Sequence, residues 1–163
     1  MKKKIDEDLV LYFDNLFPLK RKSKIKQRYT VILGIGGNIG NMRLRFHKLF
    51  FSLKQNRDIQ ILQTSPLLLN PPFGYIAQDN FLNGIIKITT NLSPIKVLDL
   101  VQRYENRYKR IRTFQDAPRT LDIDIIFIYQ GSKSVKIDTK RLIVPHKGWS
   151  NRDSVKIPLQ YLK

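Results

Sequence analysis

The chain of 163 residues is long enough to bury one sizeable core, and its 42% hydrophobic content fits a single globular domain. It has no cysteine, which excludes disulfides and thiolate metal sites; no apolar run approaches the roughly 18 residues of a membrane span, and the N-terminus lacks the apolar core of a signal peptide, so a cytoplasmic protein is expected. The formal net charge is +17, and residues 1–28 hold only 9 Lys/Arg against 4 Asp/Glu, so the positive field is spread along the chain and suits an anionic partner, nucleic acid or polyphosphate, unless it is a plain lysine-rich bias.

In IDEDLVLYFDNLF (5–17), Ile5, Leu9, Phe13 and Tyr12, Leu16 recur at helical intervals, which predicts a short amphipathic helix. LKRKSKIKQR (19–28) reads as a solvated basic linker, so residues 1–28 are expected to be an extension docked on, or trailing from, a main domain at 29–163. TVILGIG (30–36) predicts a buried strand, and GGNIGN turns it into a helix with Asn41 as N-cap and Phe46, Leu49, Phe50 and Leu53 as buried stripe. The glycines do not make a dinucleotide fingerprint, because the sixth place counted from Gly34 is Ile39, and a P-loop lysine is missing. Gly37 and Gly40 then supply permissive backbone to a tight turn.

DIQILQTS (58–65) predicts the second strand, a proline-marked loop covers 66–79, and NFLNGIIKITT (80–90) the third strand. Ser93 as cap and Pro94 at the first helical position open a second long helix, with Val97, Val101, Tyr104 and Tyr108 on its apolar face. An irregular basic stretch, 111–118, leads into the fourth strand, RTLDIDIIFIY (119–129). The order β-α-β-β-α-β is that of the ferredoxin-like α+β unit, with short C-terminal elements after it.

Asp122 and Asp124, two apart on a strand, share a face with Cα atoms about 6.5 to 7 Å apart, while Leu121, Ile123, Ile125 and Phe127 point the other way. The pair reads either as solvated charge on an edge strand or as a Mg²⁺ site, since Mg²⁺ is held by one or two carboxylates plus substrate phosphates. Gln102 and Glu105 share a helix face beside Arg103, Arg107, Lys109, Arg110 and Arg112, with Arg119 beyond. Singly these are surface residues; opposite a carboxylate pair they could clamp a triphosphate between cations and guanidinium forks. His146, six residues before Arg152, is either a surface histidine or a donor to phosphoryl oxygens. Asn83, in a buried-looking strand, either satisfies a structural need or reads the edge of a heterocycle.

PPFG, QDNFLN, the Gln102/Glu105 pair, APRTLDIDII and VPH followed by NR, in this order and spacing from about Thr30 to Leu159, resemble the hydroxymethyl-dihydropterin pyrophosphokinases of folate biosynthesis. The resemblance implies pyrophosphoryl transfer from ATP to 6-hydroxymethyl-7,8-dihydropterin by a monomer that acts on small molecules, with no nucleic acid or membrane partner. Asp122 and Asp124 would bind two Mg²⁺ ions. Gln102, Glu105, Arg112, Ile125, His146 and Arg152 would hold ATP, with Arg110 and Arg119 as catalytic arginines. Asn70, Pro71, Phe73, Phe81 and Asn83 would hold the pterin. Asp116 and Ala117 stand where members often have tryptophan and glycine, and Ser154 where an aromatic commonly stacks on the pterin, a role expected to pass in part to Trp149 or Phe114. The extension has no family counterpart. Two other classes share the β-α-β-β-α-β order: an RNA-recognition domain, whose signature aromatics the central strands lack, and a two-metal nucleotidyl transferase or cyclase.

Overall fold

In chain order the protein, described here by a computed structural model that covers residues 1–109 and 114–162, forms β1 (Lys2–Lys4), β2 (Val10–Tyr12), β3 (Leu19–Lys20), β4 (Tyr29–Gly37), α1 (Met42–Gln55), β5 (Ile59–Thr64), β6 (Leu67–Asn70), β7 (Phe81–Thr90), α2 (Pro94–Arg107), β8 (Asp122–Gln130), β9 (Lys133–Ser134), β10 (Ile137–Asp138), β11 (Ile143–Val144), a 3₁₀ turn (Trp149–Asn151) and α3 (Asp153–Leu159). β8 pairs with β4 and β4 with β7, all antiparallel. The far edge of β7 is shared: β5 runs along Ile86–Thr90 and β6 along Phe81–Asn83. The result is a mixed α/β protein with a mostly antiparallel sheet.

Alternation along the strands sorts the two faces. Val31, Leu33, Ile35, Ile86, Ile88, Ile123 and Ile125 meet the stripe Phe46, Leu49, Phe50, Leu53 of α1 and Val97, Leu100, Val101, Tyr104 of α2 in one core. Ile32, Ile85 and Ile126 point to the opposite face and meet Val155 of α3. Truncating a fully buried side chain such as Phe46 to alanine costs about 3 to 5 kcal/mol, so packing and not intrinsic propensity holds these helices. Asn41 caps α1, its side chain accepting from Leu44 N at 3.1 Å. Ser93 occupies the cap position of α2 without a side-chain cap bond, leaving Pro94 as the start signal that acts.

Four expectations are corrected. Residues 5–17 are not a helix. Asp6 Oδ1 accepts from the amides of Asp8 and Leu9, and Asp14 Oδ1 from those of Leu16 and Phe17, closing turns that compete with a helix. Between the turns β2 pairs with β6, so the period-two set Leu9, Leu11, Phe13 prevails over the helical spacing. The basic segment is only partly a solvated linker, because β3 pairs with Thr64 and Gln63 of β5 and Arg21 N donates to Leu62 O. The extension is thus docked, with Phe17 fully buried in the main core. The 66–79 loop also contains a strand: β6 lies between β2 and β7 with Leu67 and Leu68 both fully buried. Finally, a bulge lets Ile32 face Phe127 and Leu33 face Ile125, which turns Phe127 to the aspartate side and sends Ile128 into the helix-side core.

Asp14 also joins the extension to α1, through His47 Nε2 at 2.9 Å and Arg43 at 3.3 Å. Burial opposes ionisation of Asp14, but the His47 hydrogen bond and the Leu16 and Phe17 amides outweigh it and hold its pKa below the ordinary 3.8. A depressed carboxylate pKa stabilises the fold above the unfolded value, and that stabilisation disappears as pH falls through the native one. Asp14→Ala is therefore expected to lower stability by about 2 kcal/mol at pH 7, and denaturant titrations should show the difference shrinking below pH 3.8. No helix among the described residues is long and apolar enough to cross a membrane.

Candidate active site

On the sheet face away from α1 and α2, the start of β8 sets Asp122 opposite Gly36 and Asp124 opposite Gly34, as their spacing predicts. On the other side of β4, Asn83 of β7 also lies opposite Gly36. Gly36 leaves room for the Asn83 side chain, because a Cβ there would come within 3.0 Å of it and force it to shift. Asn83 Nδ2 donates to Asn70 Oδ1 at 2.6 Å, and Asn70 Nδ2 to Pro71 O at 3.0 Å, so β7 and the last residue of β6 form one amide pair. Phe73, Phe81, Asp116, Arg119, Arg152 and Ser154 complete the walls of this pocket. Arg119 spans it: its guanidinium lies 3.2 Å from Asp122 Oδ2 and 5.3 Å from the centre of the Phe81 ring. Arg152 sits 5.2 Å from the ring of Phe73, which is 65% exposed.

A second cleft follows the outer edge of β8. It is lined by Gln102 and Glu105 of α2, Ile125 of β8, and residues 140–143 with His146 and Lys147. Glu105, almost wholly buried, accepts from Ile123 N at 2.8 Å. That amide points away from β4, so Glu105 fixes the strand between the two aspartates. His146 Nδ1 accepts from Gly148 N at 3.1 Å, which leaves the proton of the neutral ring on Nε2, 3.9 Å from Asp124 Oδ2. Burial lowers the His146 pKa, repulsion by Arg152 adds to the effect, and Asp122 opposes it, so the ring is neutral at pH 7. Asp124 lines both clefts, which meet there, beside Asp122 in the first.

Arg110 and Arg112 lie outside the described residues. Trp149 packs edge-on against Phe127 at 4.9 Å and Phe114 against Tyr75 at 5.1 Å. Neither is among the residues that line the pocket, and the bulge that turns Phe127 over gives Trp149 a packing partner outside it. Phe73 and Phe81 are the aromatics the pocket contains. Asn38 was not among the expected site residues. Its Nδ2 donates to Gln78 Oε1 and Asp79 O, both at 2.9 Å, and its Oδ1 accepts from Arg119 N at 3.0 Å. Gln78 in turn donates to Asp116 O at 2.8 Å, which ties the loops before β7 and β8 together.

Among the described residues no cluster of three or more His, Cys, Asp or Glu could enclose a metal ion. Two carboxylates on one strand face, both open to the first pocket and Asp124 also to the second cleft, instead fit an ion such as Mg²⁺, which keeps its other positions for water and substrate phosphate.

The profile of the 7,8-dihydro-6-hydroxymethylpterin-pyrophosphokinase family matches residues 32–163. The chain belongs to this family. It is 40% identical over 143 residues to the 2-amino-4-hydroxy-6-hydroxymethyldihydropteridine pyrophosphokinase of Campylobacter jejuni, covering 88% of each chain. It is 41% identical over 145 residues to the Helicobacter pylori protein of the same name, covering 88% of this chain and 86% of that one. A Haemophilus influenzae protein, also of that name, is 32% identical over 130 residues, 80% of this chain and 79% of its own. In this pyrophosphokinase family member the matched span begins inside β4, so β1 to β3 precede it. Neither the RNA-binding nor the nucleotidyl-transferase alternative gains support from these matches.

Proposed function

We propose that the chain transfers the pyrophosphoryl group of ATP to the hydroxymethyl oxygen of 6-hydroxymethyl-7,8-dihydropterin, releasing AMP, in folate biosynthesis. The observation that carries this reading is the meeting of two clefts at Asp124, one bearing the amide pair and aromatics, the other His146 and the β8 edge. The first suits a flat heterocycle with donors and acceptors on its edge. Asn83 and Asn70 read that edge, beside Pro71, Phe73 and Phe81. The second takes ATP, with Gln102, Glu105, Ile125 and His146 around it and its phosphates directed to the aspartates, where Arg152 meets them from the wall of the first pocket; Arg112 also holds ATP in this reading.

The acceptor oxygen attacks the β-phosphorus, the bond from that phosphorus to the oxygen bridging it to the α-phosphorus breaks, and AMP leaves with that oxygen. The alcohol proton passes to Asp122 or Asp124, or to water. Asp122 and Asp124 would hold Mg²⁺, two ions in this reading, which would supply charge neutralisation of the phosphates and ease loss of the alcohol proton. Arg119 and Arg110 add donors to oxygens that gain charge, and the Arg119–Asp122 contact pre-sets one of them. The Nε2 proton of neutral His146 donates to a phosphoryl oxygen, and His146→Ala is expected to raise the KM for ATP about tenfold with kcat less affected.

The strand order β8-β4-β7-β5, all antiparallel, with two helices on one face, supports a ferredoxin-like reading of residues 29–163. In this reading the extension 1–28 edges the sheet, and the protein works as a cytoplasmic monomer on small molecules, not nucleic acid. Phosphorus NMR of a reaction with ATP, Mg²⁺ and the pterin tests the assignment. AMP and a pterin diphosphate ester should form in equal amounts; free pyrophosphate, ADP or a cyclic nucleotide would contradict it.

A further inference from the structure

β2 touches two elements that wall the pterin pocket without reaching the pocket itself. Leu9, fully buried Leu11 and Phe13 form a small core with Leu68 of β6 and Ile157 of α3. Val10, Leu11 and Tyr12 pair with Leu69, Leu68 and Leu67, which gives β6 a strand on each side. Two residues beyond Leu68 is Asn70, the partner of Asn83; two and three residues before Ile157 are Val155 and Ser154, which line the same pocket. Phe13 also meets the Tyr161 ring edge-on at 6.2 Å, just past α3. β6 has only four residues, and α3 is seven long with Pro158 inside, so neither holds its place by intrinsic stability.

We infer that Leu9, Leu11 and Phe13 are positioning residues for the pterin: they brace β6 against α3 and so set the spacing between Asn70 and the Ser154–Val155 wall. This rests on the reading of that pocket as the pterin site. The nucleotide cleft is lined by α2, β8 and residues 140–147 and shares no residue with this small core, although Arg152, assigned to ATP, precedes α3. An amide pair reads a heterocycle edge only at hydrogen-bond distance, and displacing a binding group by about 1 Å can cost up to about 100-fold. The brace therefore acts on pterin affinity ahead of nucleotide affinity.

The test uses the full chain and variants Leu11→Ala, Phe13→Ala and, as a control for stability loss alone, Leu53→Ala in the helix-side core. Binding of 6-hydroxymethylpterin is titrated by fluorescence with a saturating non-hydrolysable ATP analogue and Mg²⁺, and the analogue is titrated separately, at a temperature where each variant is folded. Leu11→Ala and Phe13→Ala should weaken pterin binding about tenfold or more, leave the analogue within about threefold, and raise the KM for pterin more than they lower kcat. Leu53→Ala should change neither affinity. If Leu11→Ala does not fold, Phe13→Ala decides, because its ring lies at the edge of the small core. Unchanged pterin affinity in the folded brace variants, or an equal loss in Leu53→Ala, overturns the inference while the pterin site stands. Wild-type protein that binds no pterin overturns the site assignment instead, and the brace with it.

Discussion

Asp124→Ala is expected to lower Mg²⁺-dependent AMP formation by about 10³-fold or more, on the order of 4 kcal/mol of lost transition-state stabilisation, with the fold intact. The size follows from position. Asp124 lines both clefts, where the transferred group must pass, and it is one of only two carboxylates there on β8. Removing it takes a full negative charge from a site that must hold divalent cations against a polyphosphate. The fold should tolerate the change because the side chain is 38% exposed and its strand is anchored by β4 on one side and Glu105 on the other. Asp124→Asn keeps the shape and removes the charge, so a comparable loss would assign the effect to electrostatics. Steady-state AMP release, with circular dichroism as the folding control, reads both variants; turnover near wild type in either would remove the metal role.

The second large effect belongs to a residue with no side chain. Gly36→Ala would drive a methyl group into the Asn83 side chain from the neighbouring strand, and the amide must turn away. Its 2.6 Å bond to Asn70 is then lost, and the pocket presents half-buried polar groups without their intended partners. Sites that read a ligand by hydrogen bonds lose about 10²-fold or more when the pattern is broken, so pterin affinity should fall by about that factor while binding of an ATP analogue is retained. A double-mutant cycle isolates the cause. With Asn83→Ala in the background the added methyl meets nothing at that place, and Gly36→Ala should cost little more. An equal cost in both backgrounds would show that the methyl acts elsewhere.

How much of this was legible in the sequence depended on whether the signal was local. The shared face of Asp122 and Asp124 follows from the period of a strand, and the buried stripe and Asn41 cap of α1 from the period and start signals of a helix. The bulge that turns Phe127 over belongs to the pairing of β8 with β4, and nothing in RTLDIDIIFIY marks it. Residues 5–17 carry two apolar periods at once, and only the free edge of β6, far along the chain, decides for strands. Asn38 reads as one more turn residue after glycines; its three partners come from two distant loops. The family resemblance was legible because its motifs hold the chemistry, whereas the bracing around the pocket is set by packing between segments that no motif spans.

The central claim is that the aspartate pair anchors divalent cations where the two clefts join. It is tested most directly by anomalous diffraction from crystals grown with Mn²⁺, a non-hydrolysable ATP analogue and 6-hydroxymethylpterin. Anomalous peaks about 2.1 Å from carboxylate oxygens of Asp122 and Asp124, each also in contact with a phosphate oxygen, are the predicted result. Nucleotide bound with no cation at these carboxylates, or with its cation held elsewhere, would contradict the account.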